Sequence, residues 1–283
     1  MNYLYAIILG LVQGIAEFLP ISSSGHLALF ETVLGADTLA ALDGSACFNV
    51  LLHLATLAAV VIAYWSDVRD MLTECGGIVG DLRRRRSLVS GNVPARRLIL
   101  MIILSTLPLF VFVPFHHAIE RLSTIPWFIG AALLLTGCLL YISDRLPRGE
   151  KTEKTMTVKD ALLVGLAQCA ALIPGLSRSG TTITAGMGCG FSREFAVRFS
   201  FLMSLLSVLG SVALKALDML GEPLDTTLLL PYLVGMAVAF VTGYYSIKLL
   251  NRLVSKGKFG GFAYYCWGVG ALAIVISVVV NKG

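Results

Sequence analysis

The chain predicts an all-α polytopic membrane fold, with six transmembrane helices plus two re-entrant helical hairpins in an inverted-topology repeat. Three observations carry this. The 283 residues are 57% hydrophobic and only 14% charged, where a soluble domain holds about a quarter charged residues. Apolar stretches recur, each near the roughly 20 residues that cross a hydrocarbon core of about 30 Å. Two further segments, broken by Gly, Pro and Ser, are copies of each other.

The predicted spans are Phe48–Trp65, Leu98–Phe115, Trp127–Ile142, Phe199–Leu217, Leu228–Leu249 and Phe262–Val280. His53 interrupts the first and reads as a core histidine. The longest polar stretch, Ser66–Arg97, is too short and broken for an independent soluble core, so the chain reads as a single integral membrane domain, 1–283. The N-terminus lacks a basic n-region and a cleavage site, which argues against a removable signal peptide. Cys47, Cys75, Cys138, Cys169, Cys189 and Cys266 form no CxxC pair, and most sit in apolar segments where packing is their expected role.

Charge sets the topology. No lysine or arginine precedes Arg69, and basic residues then cluster in 66–97, Arg145–Lys159 and Lys248–Lys258. The run Arg83–Arg86 and the net charge of +5 fit the positive-inside rule and give no reason to invoke nucleic acid. Six crossings satisfy this alternation with the N-terminus outside and the basic loops in the cytoplasm. The segments before Phe48 and around 160–192 then read as hairpins that enter the membrane and return to their own side. Non-helical backbone at that depth needs cover from protein or a watery cavity.

Those two segments align without gaps. "AIILGLVQGIAEFLPISSSGH" (6–26) matches "ALLVGLAQCAALIPGLSRSGT" (161–181) at Ala6/Ala161, Gly10/Gly165, Leu11/Leu166, Gln13/Gln168, Ala16/Ala171, Ser22/Ser177, Ser24/Ser179 and Gly25/Gly180. Three crossings follow each copy, so the second is inverted and the halves, roughly 1–145 and 158–283, are related by an axis in the membrane plane. Their tips should meet near mid-membrane. The differences complement one another: Glu17 aligns with Leu172, Ser23 with Arg178 and His26 with Thr181. One arm carries an acid and an imidazole, the other a cation.

Each tip pairs a proline, Pro20 or Pro174, with an S-x-S-G start to the next helix. Helix starts present free N–H groups that suit an oxyanion, and a guanidinium can hold two phosphate oxygens. The candidate phosphate cradle is Ser22, Ser24, Gly25, Ser177, Ser179, Gly180 and Thr182, with Arg178 as its cation. Glu17, sharing a helix face with Gln13, can hold a divalent cation or orient a histidine. His26 can move protons, and Ser23 is a candidate nucleophile if the imidazole reaches its hydroxyl. Competing structural readings are serines bonded back to the backbone and a mutual Glu17–Arg178 ion pair, although ionisable groups at membrane depth are functional by default. His116, His117 and Glu120 read as interfacial, and Lys215 with Asp218 as a snorkelling pair.

"QGIAEFLPISSSGH" and "PGLSRSG" resemble the two signature motifs of the undecaprenyl pyrophosphate phosphatase, or bacitracin-resistance protein, family, (E/Q)GxxEFLPxSSxGH and PGxSRSG. The resemblance extends over the whole chain. It implies a membrane enzyme that hydrolyses undecaprenyl diphosphate to undecaprenyl phosphate and phosphate, recycling the carrier for cell-wall synthesis. It implies a polyprenyl diphosphate lipid and the bilayer as partners and a divalent cation, Mg²⁺ or Ca²⁺, and it leaves a homodimer open. By motif, the essential residues are Glu17, Ser23, His26 and Arg178. Gln13 stands where many members carry a second glutamate. The expected location is the bacterial inner (plasma) membrane, multi-pass, with the Glu17 hairpin opening outward. The competing class is a transporter or flippase of a polyprenyl phosphate, which needs the cradle but no proton transfer. A purely structural scaffold leaves the polar tips unexplained.

Overall fold

A computed structural model describes residues 3–34, 46–83, 93–218 and 228–280. Asp37, Asp43 and Arg84–Arg86 lie outside the described residues. The first broken segment is α1 (Tyr3–Phe18) and α2 (Ser23–Leu34), followed by α3 (Ala46–Ala63), α4 (Trp65–Arg83), α5 (Pro94–Thr106), α6 (His116–Arg121) and α7 (Pro126–Ser143). The second broken segment is α8 (Val158–Ala170) and α9 (Arg178–Gly188), followed by α10 (Arg193–Asp218), α11 (Leu229–Ser255) and α12 (Gly261–Val280). The described residues contain no strand.

Among the described residues, five helices are long and apolar enough to cross a membrane: Pro94–Phe115, Pro126–Ser143, Arg193–Leu217, Leu229–Ser255 and Gly261–Val279. A sixth follows if α3 and α4, which meet at a 90° bend, count as one broken span. The chain is a multi-pass membrane protein. Two details differ from the sequence reading. Part of the polar stretch after Trp65 is helical, because α4 finds a neighbour in α5: Arg96 pairs with Glu74 at 2.5 Å and with Asp81 at 2.8 Å. The apolar run ending at Phe115 is α-helical only to Thr106 and 3-10 over Leu107–Phe115. Pro108 and Pro114 have no N–H to give to an α-helical ladder there.

Close helix crossings are made by glycine. α1 packs along α11 at Gly10, where an added Cβ would collide with the Gly235 carbonyl. Its alignment partner Gly165 does the same for α8 against the Ser105 carbonyl of α5. α7 and α12 cross reciprocally, Gly130 against the carbonyl of Gly270 and Gly270 against that of Gly130, each 2.7 Å from the position of a Cβ. Without a hydrophobic drive between helices in lipid, such small-residue contacts are how backbones approach.

The clustered charges are gathered at one end of the bundle. Arg97 donates to the Met156 carbonyl (2.6 Å), Lys151 pairs with Asp160 (2.9 Å), Arg198 with Asp67 (3.0 Å), and the Gly260 N–H donates to Asp144 (2.7 Å). The basic connections from both halves of the chain therefore share one face, as the positive-inside pattern requires.

Candidate active site

Pro20 follows the end of α1, and Ser22 then takes a left-handed conformation (φ 70°) before capping α2. A non-glycine residue there costs about 1–2 kcal/mol, and such outliers cluster at functional sites. In the second arm the left-handed residue is Gly175 (φ 92°), the alignment partner of Pro20. The caps match despite this difference. Ser22 Oγ accepts from the Gly25 N–H (3.3 Å) and lies 3.4 Å from Ser24 Oγ; Ser177 Oγ accepts from the Gly180 N–H (3.1 Å) and lies 3.3 Å from Ser179 Oγ. The two tips touch: a Cβ on Gly25 would sit 3.0 Å from Gly175 Cα.

Between the tips, Glu17 is buried and accepts three hydrogen bonds. Oε1 accepts from Arg178 Nη2 in a tight ion pair, while Oε2 accepts from Ser23 Oγ (2.7 Å) and Gln13 Nε2 (3.1 Å). A carboxylate receiving three donors is held ionised. Arg178 reaches it from the other arm and gives a second N–H to Ser207 Oγ (3.3 Å) on α10. The expected complementarity of the arms is thus realised as one cluster, and the Glu17–Arg178 pair weighed as a structural alternative is its centre.

This cluster opens into a cavity of about 1090 Å³. Its polar wall holds Gln13, Glu17, Ser22, Ser23, Ser24, Ser177 and Arg178, and its apolar wall includes Leu109, Phe110, Val113, Leu206, Leu209 and Leu217. Gly25, Ser179, Gly180 and Thr182 stand behind the lining. Thr182 Oγ1 is 2.6 Å from Ser200 Oγ and donates to the Arg178 carbonyl (2.8 Å), which fixes α9 against α10.

His26 faces elsewhere. Nδ1 bonds the Ser22 carbonyl (2.8 Å), which requires Nδ1 to donate, and in the neutral ring Nε2 accepts from Tyr265 Oη (2.8 Å). The ring stacks on Tyr265 at an interplanar angle of 8°. Ser23 pairs with Glu17 and not with the imidazole, so here His26 clamps the left-handed turn.

Two residues read differently in the sequence line the cavity. His53 is no isolated core histidine: Nδ1 lies 3.0 Å from Gln13 Nε2. Lys215, read as a snorkelling residue, shares the cavity wall with Arg178. Gln168, the counterpart of Gln13, is 2% exposed and lines the same space, with neither amide atom hydrogen-bonded. No local pattern marks His53 or Lys215; Gln168 was marked by the repeat.

A multi-pass helical protein with an acid, a hydroxyl and a guanidinium converging on an apolar-walled cavity is built to handle an anionic lipid headgroup. The chain belongs to a known family of that kind. The model described as Bacitracin resistance protein BacA matches residues 6–272. The chain is 38% identical over 284 residues to the undecaprenyl-diphosphatase of Methanosphaera stadtmanae, covering 99% of this chain and 100% of that one. It is 41% identical over 283 residues to that of Pelobacter propionicus (99% and 98% covered) and 37% identical over 278 residues to that of Halothermothrix orenii (98% and 99%).

Proposed function

We propose that the chain hydrolyses undecaprenyl diphosphate to undecaprenyl phosphate and phosphate at the Glu17–Ser23–Arg178 cluster. The observation that carries the chemistry is the 2.7 Å hydrogen bond from Ser23 Oγ to Glu17, a nucleophile already aimed at a base. Ser23 Oγ, or a water in its place, attacks the terminal phosphorus, and its proton passes to Glu17. The bond from that phosphorus to the bridging oxygen breaks, and the oxygen leaves with the electron pair as undecaprenyl phosphate. Where serine attacks, water then cleaves the phosphoserine. Arg178 and the N–H groups at the α2 and α9 starts neutralise charge on the phosphoryl oxygens. As Arg178 turns to phosphate, Glu17 is freed to take the Ser23 proton. The apolar wall receives the first part of the isoprenoid chain.

A divalent cation of the kind the family resemblance implies would be held by Glu17 and Gln13, and would supply charge neutralisation at the phosphates. Gln13 Oε1 is buried with no partner, and Glu17 Oε1 accepts a single donor. One carboxylate and one amide oxygen fit a hard cation that shares its shell with substrate phosphates and water. The described residues hold no group of three or more His, Cys, Asp or Glu for a closed cage.

We further infer the inverted topology. The pairing of α1 with α11 is mirrored by that of α8 with α5, and the Gly10 crossing by that of Gly165. With the basic end in the cytoplasm of the inner membrane, the Glu17 hairpin opens outward. Phosphate release from undecaprenyl diphosphate by purified protein in detergent, with and without chelator, is the test. Folded protein that releases none with any divalent cation supplied would move the assignment to lipid transport, for which a nucleophile–base contact has no use.

A further inference from the structure

We propose that His53 is a phosphate-binding residue, a neutral imidazole whose Nε2–H donates to the bound diphosphate and whose tautomer is set by Gln13. The inference rests on the phosphatase reading of the cluster. Glu17 accepts from Arg178 and Ser23, so its carboxylate is ionised, and the Gln13 atom facing it at 3.1 Å must be the amide nitrogen. The opposite amide orientation would set a carbonyl oxygen against a carboxylate. An amide nitrogen carries two hydrogens and accepts nothing. Its second hydrogen points at His53 Nδ1, 3.0 Å away. Nδ1 therefore holds a lone pair, and the ring proton sits on Nε2.

That Nε2–H lies on the far side of the ring from Gln13. It has no hydrogen-bond partner among the described residues, on a ring that lines the same cavity as Ser23 and Arg178. A ring donor on the cavity wall, not taken by another side chain, can serve an acceptor that enters the cavity. The charged groups whose fields reach the ring are Glu17, Lys215 and Arg178. Two of the three are cations, and Arg178 turns from Glu17 to the phosphates when the headgroup binds. Because Gln13 occupies Nδ1 as a donor, His53 serves here by donating a hydrogen bond and not by giving up a proton.

Two amide substitutions test this without changing polarity. Glutamine places an N–H about where Nε2 stands, and asparagine about where Nδ1 stands. With phosphate release from undecaprenyl diphosphate as readout, His53→Asn and His53→Leu should lose about 10- to 100-fold in kcat/KM, mainly through KM, the scale of one donor to a charged acceptor. His53→Gln should stay within about threefold of wild type. Equal behaviour of Asn and Gln, or a wild-type KM in His53→Leu, overturns the proposal while leaving the phosphatase reading in place. Protection from thermal unfolding by inorganic diphosphate gives a second reading: it should be kept in His53→Gln and weakened in His53→Asn, and equal protection in both also overturns the assignment. A wild type that folds but releases no phosphate overturns the phosphatase reading and this proposal with it.

Discussion

At Gly10 and Gly165 the two arms do the same thing, each letting a helix press against a neighbour's backbone carbonyl. At Ser22 and Ser177 they again agree, each hydroxyl capping the helix that follows. At Glu17 and Leu172, and at Ser23 and Arg178, they part. The repeat thus supplies the serine-capped helix start twice, while the acid and hydroxyl come from one arm and the cation from the other. The two amides show the contrast most sharply. Gln13 is bonded to Glu17 and His53, whereas Gln168, with leucine in place of the acid, has no partner for either amide atom. Equivalent backbones carry different chemistry because a few positions at the tips differ.

The largest effect should come from splitting the arms' contributions. Glu17→Ala and Arg178→Ala should each lower phosphate release by about 1000-fold or more, since each strands a buried charge at a cost of about 3–5 kcal/mol and removes a group at the reacting phosphate. Ser23→Ala should lower kcat by about 100-fold or more with little change in KM. Near-full turnover would instead assign the attack to water.

The shared scaffold is tested by Gly10→Leu and Gly165→Leu. Each drives a side chain into a backbone carbonyl, and overpacking of this kind costs at least about 1–3 kcal/mol. The melting temperatures in detergent should fall by similar amounts, and a loss confined to one arm would break the equivalence. His26 makes a subtler test, because its donor is Nδ1 where that of His53 is Nε2. His26→Asn should therefore keep more activity than His26→Gln, the reverse of the order expected at His53. The opposite result would show Nε2 to be the working end, as a proton carrier requires.

The smallest effect lies at the start of the second arm. Burial pushes the Asp160 carboxyl up, but the Thr157 backbone N–H and Lys151 outweigh it and hold the group below the ordinary aspartate value. Its stabilisation is then present above about pH 4 and fades as pH falls through the lowered value. Asp160→Asn should cost about 1 kcal/mol at neutral pH, the scale of a lost cap. The gap from wild type in thermal unfolding should close in acid.

The spans were legible because crossing a membrane is a demand on local length and apolarity, which a sequence states directly. The arms were legible because the repeat aligns them, and their complementary differences pointed to a composite site, with the Glu17–Arg178 ion pair as the competing structural reading. The partners that were missed are contacts between helices. Gln13 and His53 are 40 residues apart, and His26 and Tyr265 are 239 apart. Which face of an apolar helix turns inward depends on how helices rotate against one another, and a uniformly apolar run does not encode that. Helix α4 was read as part of a polar connection because its charges look solvated until Arg96 is seen to reach them.

The central claim, one site assembled from two arms, is tested most directly by a double-mutant cycle on phosphate release from undecaprenyl diphosphate with wild type, Glu17→Ala, Arg178→Ala and the double variant. A composite site predicts strong non-additivity: each single change is nearly as damaging as both together. Losses that multiply, or either single variant with near-wild-type turnover, would show that the acid and the guanidinium act independently and would contradict it.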